Sequence, residues 1–416
     1  LQSGPSRHLV RFSENTVKIE DVVRNNETRF TRLPAILQFA EQSAFNEVYG
    51  FAGSQGVTVL EGQRLVPVGK PSKTVYIFMH PSSTLQLLPM PQALASAGMH
   101  VICAASRYPK QDSALIMEKV AIDLGVWIRW AKESCGYERV ILVGWSGGGS
   151  LSLFYQAEAE HPTITHTPAG DPVNLVDAGL IPADGVIFIA AHKSRAELLT
   201  EFLDPSIRNE LNPDDRDLDL SIYDDDCPHK PPFDAAFIVR FREAQIARNH
   251  RITVRCQEQL EKFKKARSAE VERGFVVYRT MCDPRWIDST IEPNDRKPNW
   301  SYLGEPRIAN VIPAGLARYA SLRSWLSQWS YNCSNVTVPK TAPRIRKTPV
   351  FQIENSADDA VPASHNAAVR DALGTSDKEY LIIKGATHYY VGQPDLLKQC
   401  IDAVYDWSMR KGLLTS

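Results

Sequence analysis

Residues 139–149 read Arg139-Val140-Ile141-Leu142-Val143-Gly144-Trp145-Ser146-Gly147-Gly148-Gly149. An apolar run of strand length breaks into Gly-x-Ser-x-Gly, and residues 149–158 then carry a helical pattern. A serine at a strand-to-helix junction sits on a sharp, strained turn. Its small neighbours let the two limbs approach closely. The turn lifts the hydroxyl above the carboxyl edge of the sheet, where ligands bind in open α/β sheets. The following N–H points into the same space from the start of the helix, as half of an anion site.

Working outward, further β-rich runs lie at 74–79, 99–104 and 185–190, and two more at 349–353 and 379–383. Continuous apolar strands of this kind suit a parallel sheet buried on both faces. Helical spacing is present over 112–134, 363–373 and 394–411. Alternation of strand and helix implies right-handed βαβ units, hence an α/β fold with a mostly parallel sheet flanked by helices. Nearer the N-terminus, 33–48 carries apolar residues at helical spacing. Val57–Leu60 and Leu65–Val68 flank Glu61-Gly62-Gln63-Arg64 as the arms of a short hairpin would.

The alternation stops over 193–347, too long a stretch for a loop, so an inserted and largely helical subdomain is expected there. The core is then 1–192 with 348–416. The insertion opens acidic, with Asp204 and Glu210 through Asp226, and continues as a basic helix over about 234–266. Two solvated faces, pairing with each other, account for both. Its later part is aromatic, with Trp286, Trp300, Tyr302, Trp325 and Trp329 among others.

Lys and Arg number 47 against 48 Asp and Glu, a formal net charge of −1. A nucleic-acid surface needs an excess of basic charge, so that class of partner is set aside in favour of a small molecule. Apolar residues at 43% and charged residues at 23% fit an ordinary globular core. No run reaches the ~18 apolar residues of a membrane span. The start Leu1-Gln2-Ser3-Gly4-Pro5 lacks the parts of a signal peptide and reads as a processed end or an expression scar. The seven Cys are odd in number, dispersed and without a CxxC pair, which points to reduced thiols and a cytoplasmic setting. Sequons at Asn26, Asn299, Asn332 and Asn335 are taken as coincidence. Oligomeric state, including a homo-oligomer, is left open.

A serine hydroxyl is a weak nucleophile until a base takes its proton, and the base needs an orienting acid. Both arrive after the last two strand runs, as Ser356-Ala357-Asp358-Asp359-Ala360-Val361-Pro362 and then Gly385-Ala386-Thr387-His388-Tyr389-Tyr390. Here the chain resembles the α/β-hydrolase superfamily, in particular its serine esterases and lactonases, over 70–192 and 347–411. The resemblance implies a triad of Ser146, His388 and Asp358. Asp358 stands four residues before Pro362, as the superfamily's acid does, and Asp359 is the alternative. It also implies that 193–347 is a lid or cap between the sixth and seventh strands of the superfamily's sheet.

His80-Pro81-Ser82-Ser83-Thr84 resembles the superfamily's oxyanion loop after its third strand, with Pro81 where Gly is usual. Proline has no N–H, so the expected oxyanion donors are the amides of Gly147 and Ser82. His80 is then a support for the loop. His80, Trp145, His192 and Tyr389 are candidates for the pocket lining. Asp224-Asp225-Asp226-Cys227-Pro228-His229 matches no zinc spacing, and neither G-x-G-x-x-G nor a P-loop occurs, so no metal or cofactor is expected. The implied activity is hydrolysis of a carboxylic ester or lactone with a bulky, partly apolar substrate. Cleavage of an amide or C–C bond, acyl transfer, and a non-catalytic binding protein are the alternatives.

Overall fold

The computed structural model describes residues 29–41 and 55–414. The N-terminal reading, the Asn26 sequon and the part of the expected helix at 42–48 fall outside these residues. In chain order come β1 (Phe30–Ala40), β2 (Val57–Pro67), β3 (Thr74–Met79), α1 (Pro89–Ser96) and β4 (His100–Ala104). Next are α2 (Met117–Glu133), β5 (Arg139–Ser146), α3 (Gly147–Glu160) and β6 (Gly185–Ala191). The stretch 193–347 holds α4 (Arg195–Phe202), β7 (Ile207–Asn209), β8 (Asn212–Arg216), α5 (Ala235–Ala266), β9 (Gly274–Val276), β10 (Tyr319–Ser321) and several single-turn helices. The chain returns with β11 (Val350–Asn355), α6 (Ala363–Ala372), β12 (Lys378–Ile383) and α7 (Pro394–Arg410).

Eight strands form one sheet in the order β1-β2-β4-β3-β5-β6-β11-β12. β2 runs antiparallel to both β1 and β4, and the remaining pairs are parallel. Every residue of β3 is buried. Val75, Ile77 and Met79 join a core cluster with α2 and α3, while Tyr76 and Phe78 join a second cluster with α1 and α7. The period of two therefore feeds both faces of a sheet covered on both sides, which is why the run reads as continuously apolar.

Two expectations fail at the N-terminal edge. Residues 33–40 are not helical. They lie in β1, whose eleven residues pair with β2 from Phe30↔Pro67 to Ala40↔Val57. Ala35, Leu37 and Phe39 pack on the core, whereas Ile36 points to solvent at 72% exposure. The alternating set, not the helical one, is what the sheet edge buries. Nor is 57–68 a hairpin, because β2 runs straight through Gly62. A Cβ there would stand 2.6 Å from the Cys103 carbonyl oxygen and 2.7 Å from the Trp127 ring. The glycine serves close approach rather than a turn.

The stretch 193–347 has apolar clusters of its own, one around Ile252, Trp325 and Trp329 and another around Phe237 and Phe241. α5 is less solvated than its charge suggests. Arg248 is wholly buried and its guanidinium meets Glu210 at 2.8 Å. This stretch meets the core along α2. Ser327 Oγ donates to buried Glu118 at 2.7 Å and accepts from the Met117 amide at 2.8 Å.

Candidate active site

β5 delivers Ser146 with φ 53° and ψ −123°, a left-handed conformation that a serine adopts only under constraint. The constraint comes from both limbs. A Cβ on Gly144 would lie 2.7 Å from the Gly148 carbonyl oxygen and 2.7 Å from Gly149 Cα. The register with β6 also shifts between Trp145 and Ser146. α3 begins at the next residue, so the Gly147 amide is a free first-turn donor.

Asp358 follows β11 and His388 follows β12, and both are buried. His388 Nδ1 stands 2.9 Å from Asp358 Oδ2. A carboxylate only accepts, so Nδ1 carries the hydrogen and the Nε2 lone pair is left for another partner. Asp358 Oδ1 accepts from the amides of Ala360 at 2.8 Å and Val361 at 2.9 Å. Asp359 is placed otherwise. Its main-chain oxygen accepts from Trp286 Nε1, and burial together with the Asp358 charge pushes its carboxyl up to about 6.

Trp145 packs its indole on the His388 imidazole, with centroids 4.7 Å apart, and donates Nε1–H to the His388 carbonyl at 3.1 Å. Asn355 ties the two loops together. Its Nδ2 donates to the Thr387 carbonyl at 2.8 Å, and its Oδ1 accepts from Tyr390 at 2.7 Å. Sequence reading missed Asn355, although its place at the end of the strand before the acid is a usable signal.

After β3, His80 turns its ring under its own loop. Nδ1 accepts the amides of Ser82 at 3.2 Å and Ser83 at 2.9 Å. Nδ1 is thus an acceptor and the ring hydrogen sits on Nε2. Ser82 lines the same cavity as Ser146, and its N–H is turned onto this imidazole. Burial first, then the charges of Arg195 and His388, hold the His80 pKa well below the usual histidine range. His192 is depressed in the same direction, by burial and Arg195. In both rings burial favours the neutral form.

Ser146, His388, Ser82, His80, Trp145, His192 and Tyr389 all line one cavity of about 390 Å³. Arg195, Leu198, Tyr302 and the turn at Ala314–Leu316, all from 193–347, line it too. No sequence pattern marked Arg195 or its partner Asp112. A parallel sheet entered by an antiparallel second strand, with a left-handed serine at the end of its fifth strand, decides the architecture. The fold is that of the α/β-hydrolases.

No family model and no curated protein matches the chain. Among solved α/β-hydrolase-like structures, DcsB in complex with its substrate analogue is similar at 13% identity and a TM-score of 0.47, over 85% of this chain and 94% of that one. Siderophore hydrolase EstB from Aspergillus fumigatus is similar at 12% identity and a TM-score of 0.47, over 85% and 95%. Brefeldin A esterase, a bacterial homologue of human hormone sensitive lipase, is similar at 12% identity and a TM-score of 0.43, over 92% and 78%. Likeness at this level leaves the chemistry to be read from the site. Among the described residues, no helix is long and apolar enough to cross a membrane, and no cluster of metal-ligating side chains occurs.

Proposed function

We propose that the protein is a serine hydrolase acting on a carboxylic ester or lactone. The observation that carries this reading is the pairing of a strained Ser146 with a His388–Asp358 couple on one cavity. Ser146 Oγ attacks the carbonyl carbon and His388 Nε2 takes its proton. Asp358 holds the tautomer and stabilises the imidazolium. The tetrahedral intermediate collapses as His388 passes the proton to the leaving alkoxide, which departs as the alcohol. Water, activated by the same imidazole, then releases the acid and restores Ser146. No step calls on a cofactor.

The Gly147 amide is the first oxyanion donor in this proposal and Ser82 the second. The Ser83 bond of 2.9 Å is the shorter of the two into His80 and is enough to hold the ring. The longer Ser82 bond of 3.2 Å is the one free to turn toward the oxyanion. Residues 193–347 act as the cap, and their apolar side chains at the cavity favour a bulky, partly apolar substrate.

A fluorophosphonate probe tests the reading. It is expected to label Ser146 and to leave Ser146→Ala unlabelled. Turnover of an aryl-ester and lactone panel should fall by roughly 10⁴-fold in that variant. Retention of a tenth of the activity in a pure sample would refute the assignment.

A further inference from the structure

Arg195 opens α4 at the cavity wall and is 3% exposed. Three contacts fix its guanidinium. Nε donates to Gln328 Oε1 at 3.0 Å, Nη2 donates to Asp112 Oδ2 at 3.1 Å, and the plane lies over the Trp329 ring at 4.2 Å. Nη1 makes no hydrogen bond among the described residues. It stands 3.1 Å from the point a Cβ on Gly147 would occupy. One further bond of about 1.5 Å places it within about 5 Å of Gly147 Cα, next to the amide proposed to receive the oxyanion.

A second observation is independent of this one. His192 lines the same cavity, and its Nδ1, sealed from solvent, has no hydrogen-bond partner among the described residues. The charge of the cavity also leans one way. Apart from the His388 loop, the charged residues lining it are the cations Lys110 and Arg195 and the single carboxylate Asp112. Burial pulls the Arg195 pKa down from its ordinary value. A guanidinium nevertheless stays charged in proteins, so the cavity keeps a fixed cation with unspent donors.

We propose that the substrate is a half-ester of a dicarboxylic acid, whose free carboxylate is held by Arg195 Nη1. The proposal rests on the hydrolase reading above and adds the substrate class. The short distance from Nη1 to Gly147 sets the spacing: the carboxylate sits two or three carbons from the scissile carbonyl, on the acyl side, as in a succinyl or glutaryl ester. A carboxylate placed there exchanges its water for a rigid, desolvated cation, and such charge-assisted bonds are the strong ones.

The test compares benzyl hydrogen glutarate with benzyl pentanoate, in which a methyl replaces the carboxylate. The expected kcat/KM ratio in the wild-type protein favours the half-ester by ten-fold or more. In Arg195→Met that ratio should fall by about 10- to 100-fold, the worth of one hydrogen bond to a charged group. Arg195→Lys keeps a cation against Asp112 without the fork, and should retain part of the ratio. Equal losses on both esters would overturn the proposal, by showing that Arg195 serves the oxyanion or the fold. So would a wild-type enzyme that cleaves both esters with no preference.

Two further measurements do not depend on Arg195 variants folding or on turnover. Glutarate, but not glutaramide, should slow fluorophosphonate labelling of the wild-type protein. Glutarate should also bind Ser146→Ala in calorimetry. If neither ester is cleaved and Ser146 is not labelled, the hydrolase reading fails, and glutarate binding still decides the anchor. Absence of glutarate binding in a protein that labels normally overturns the anchor alone.

Discussion

Asp358 Oδ2 faces His388 and its Oδ1 accepts two amides, whereas Asp359 gives its main-chain oxygen to Trp286. Asp358→Asn should therefore cost far more kcat than Asp359→Asn, since an amide in that place favours the wrong tautomer of His388. The ratio of the two kcat values checks this, and a dead Asp359 variant would mean the register is off by one. Asp359 has a second consequence. Its folded pKa of about 6 lies above the unfolded value near 3.9. The folded state thus binds the proton more tightly, and stability falls as pH rises through the window between the two values. Asp359→Asn removes that penalty. Urea melts should show the variant more stable by about 1–3 kcal/mol near pH 7, with the gap closing below about pH 4. A gap of the same size at both pH values would contradict the shifted carboxyl.

The His80–Thr84 loop and the Gly385–Tyr390 loop illustrate what an element adds to its residues. Both are braced from below: the first by His80 Nδ1, the second by Asn355 and Trp145. With a transition-state analogue on Ser146, the Ser82 nitrogen should move off His80 to about 2.7–3.1 Å from the oxyanion. Ser82→Pro removes that N–H and should lower kcat by about 10²–10³. A complex in which Ser82 still faces His80 while another amide holds the oxyanion would assign the duty elsewhere. β1 and β2 carry the opposite lesson. Leu33 and Ile36 fit a helical stripe on paper, yet both are exposed, because the partner that decides the matter is β2, which pairs with all eleven residues of β1.

At the scale of the molecule, the cavity exists only where two parts of the chain meet. The Trp325–Trp329 turn brings Gln328 and Trp329 onto Arg195, and Ser327 onto Glu118 in α2. Glu118 is wholly buried, and Ser327 and Asn335 supply its side-chain donors at 2.7 Å and 3.0 Å. Ser327→Ala strips one of them and also leaves the Met117 amide unmet. It should lower stability by about 1–3 kcal/mol in a urea titration. An unchanged midpoint would show that this seam contributes nothing.

What the sequence determined by itself was everything governed by local pattern. Five buried strands and the half-exposed edge strand β12 follow from apolar runs, and the serine turn from small residues packed around Ser146. The order acid-then-histidine follows from where Asp358 and His388 fall after the last two strand runs. These are short-range signals, set by period and by steric room within a few residues. The tertiary structure decided what depends on a distant partner. It made a strand of 33–40, because β2 offers an edge. It ran β2 straight through Gly62, because Trp127 fills the space a side chain would take. It turned the Ser82 amide onto His80, and it carried Arg195 to within reach of Gly147 by way of Asp112, Gln328 and Trp329. No local pattern marks such a residue, because a buried guanidinium takes its role from the groups that desolvate and hold it, and those come from two distant stretches of the chain, at Asp112 and at Gln328–Trp329.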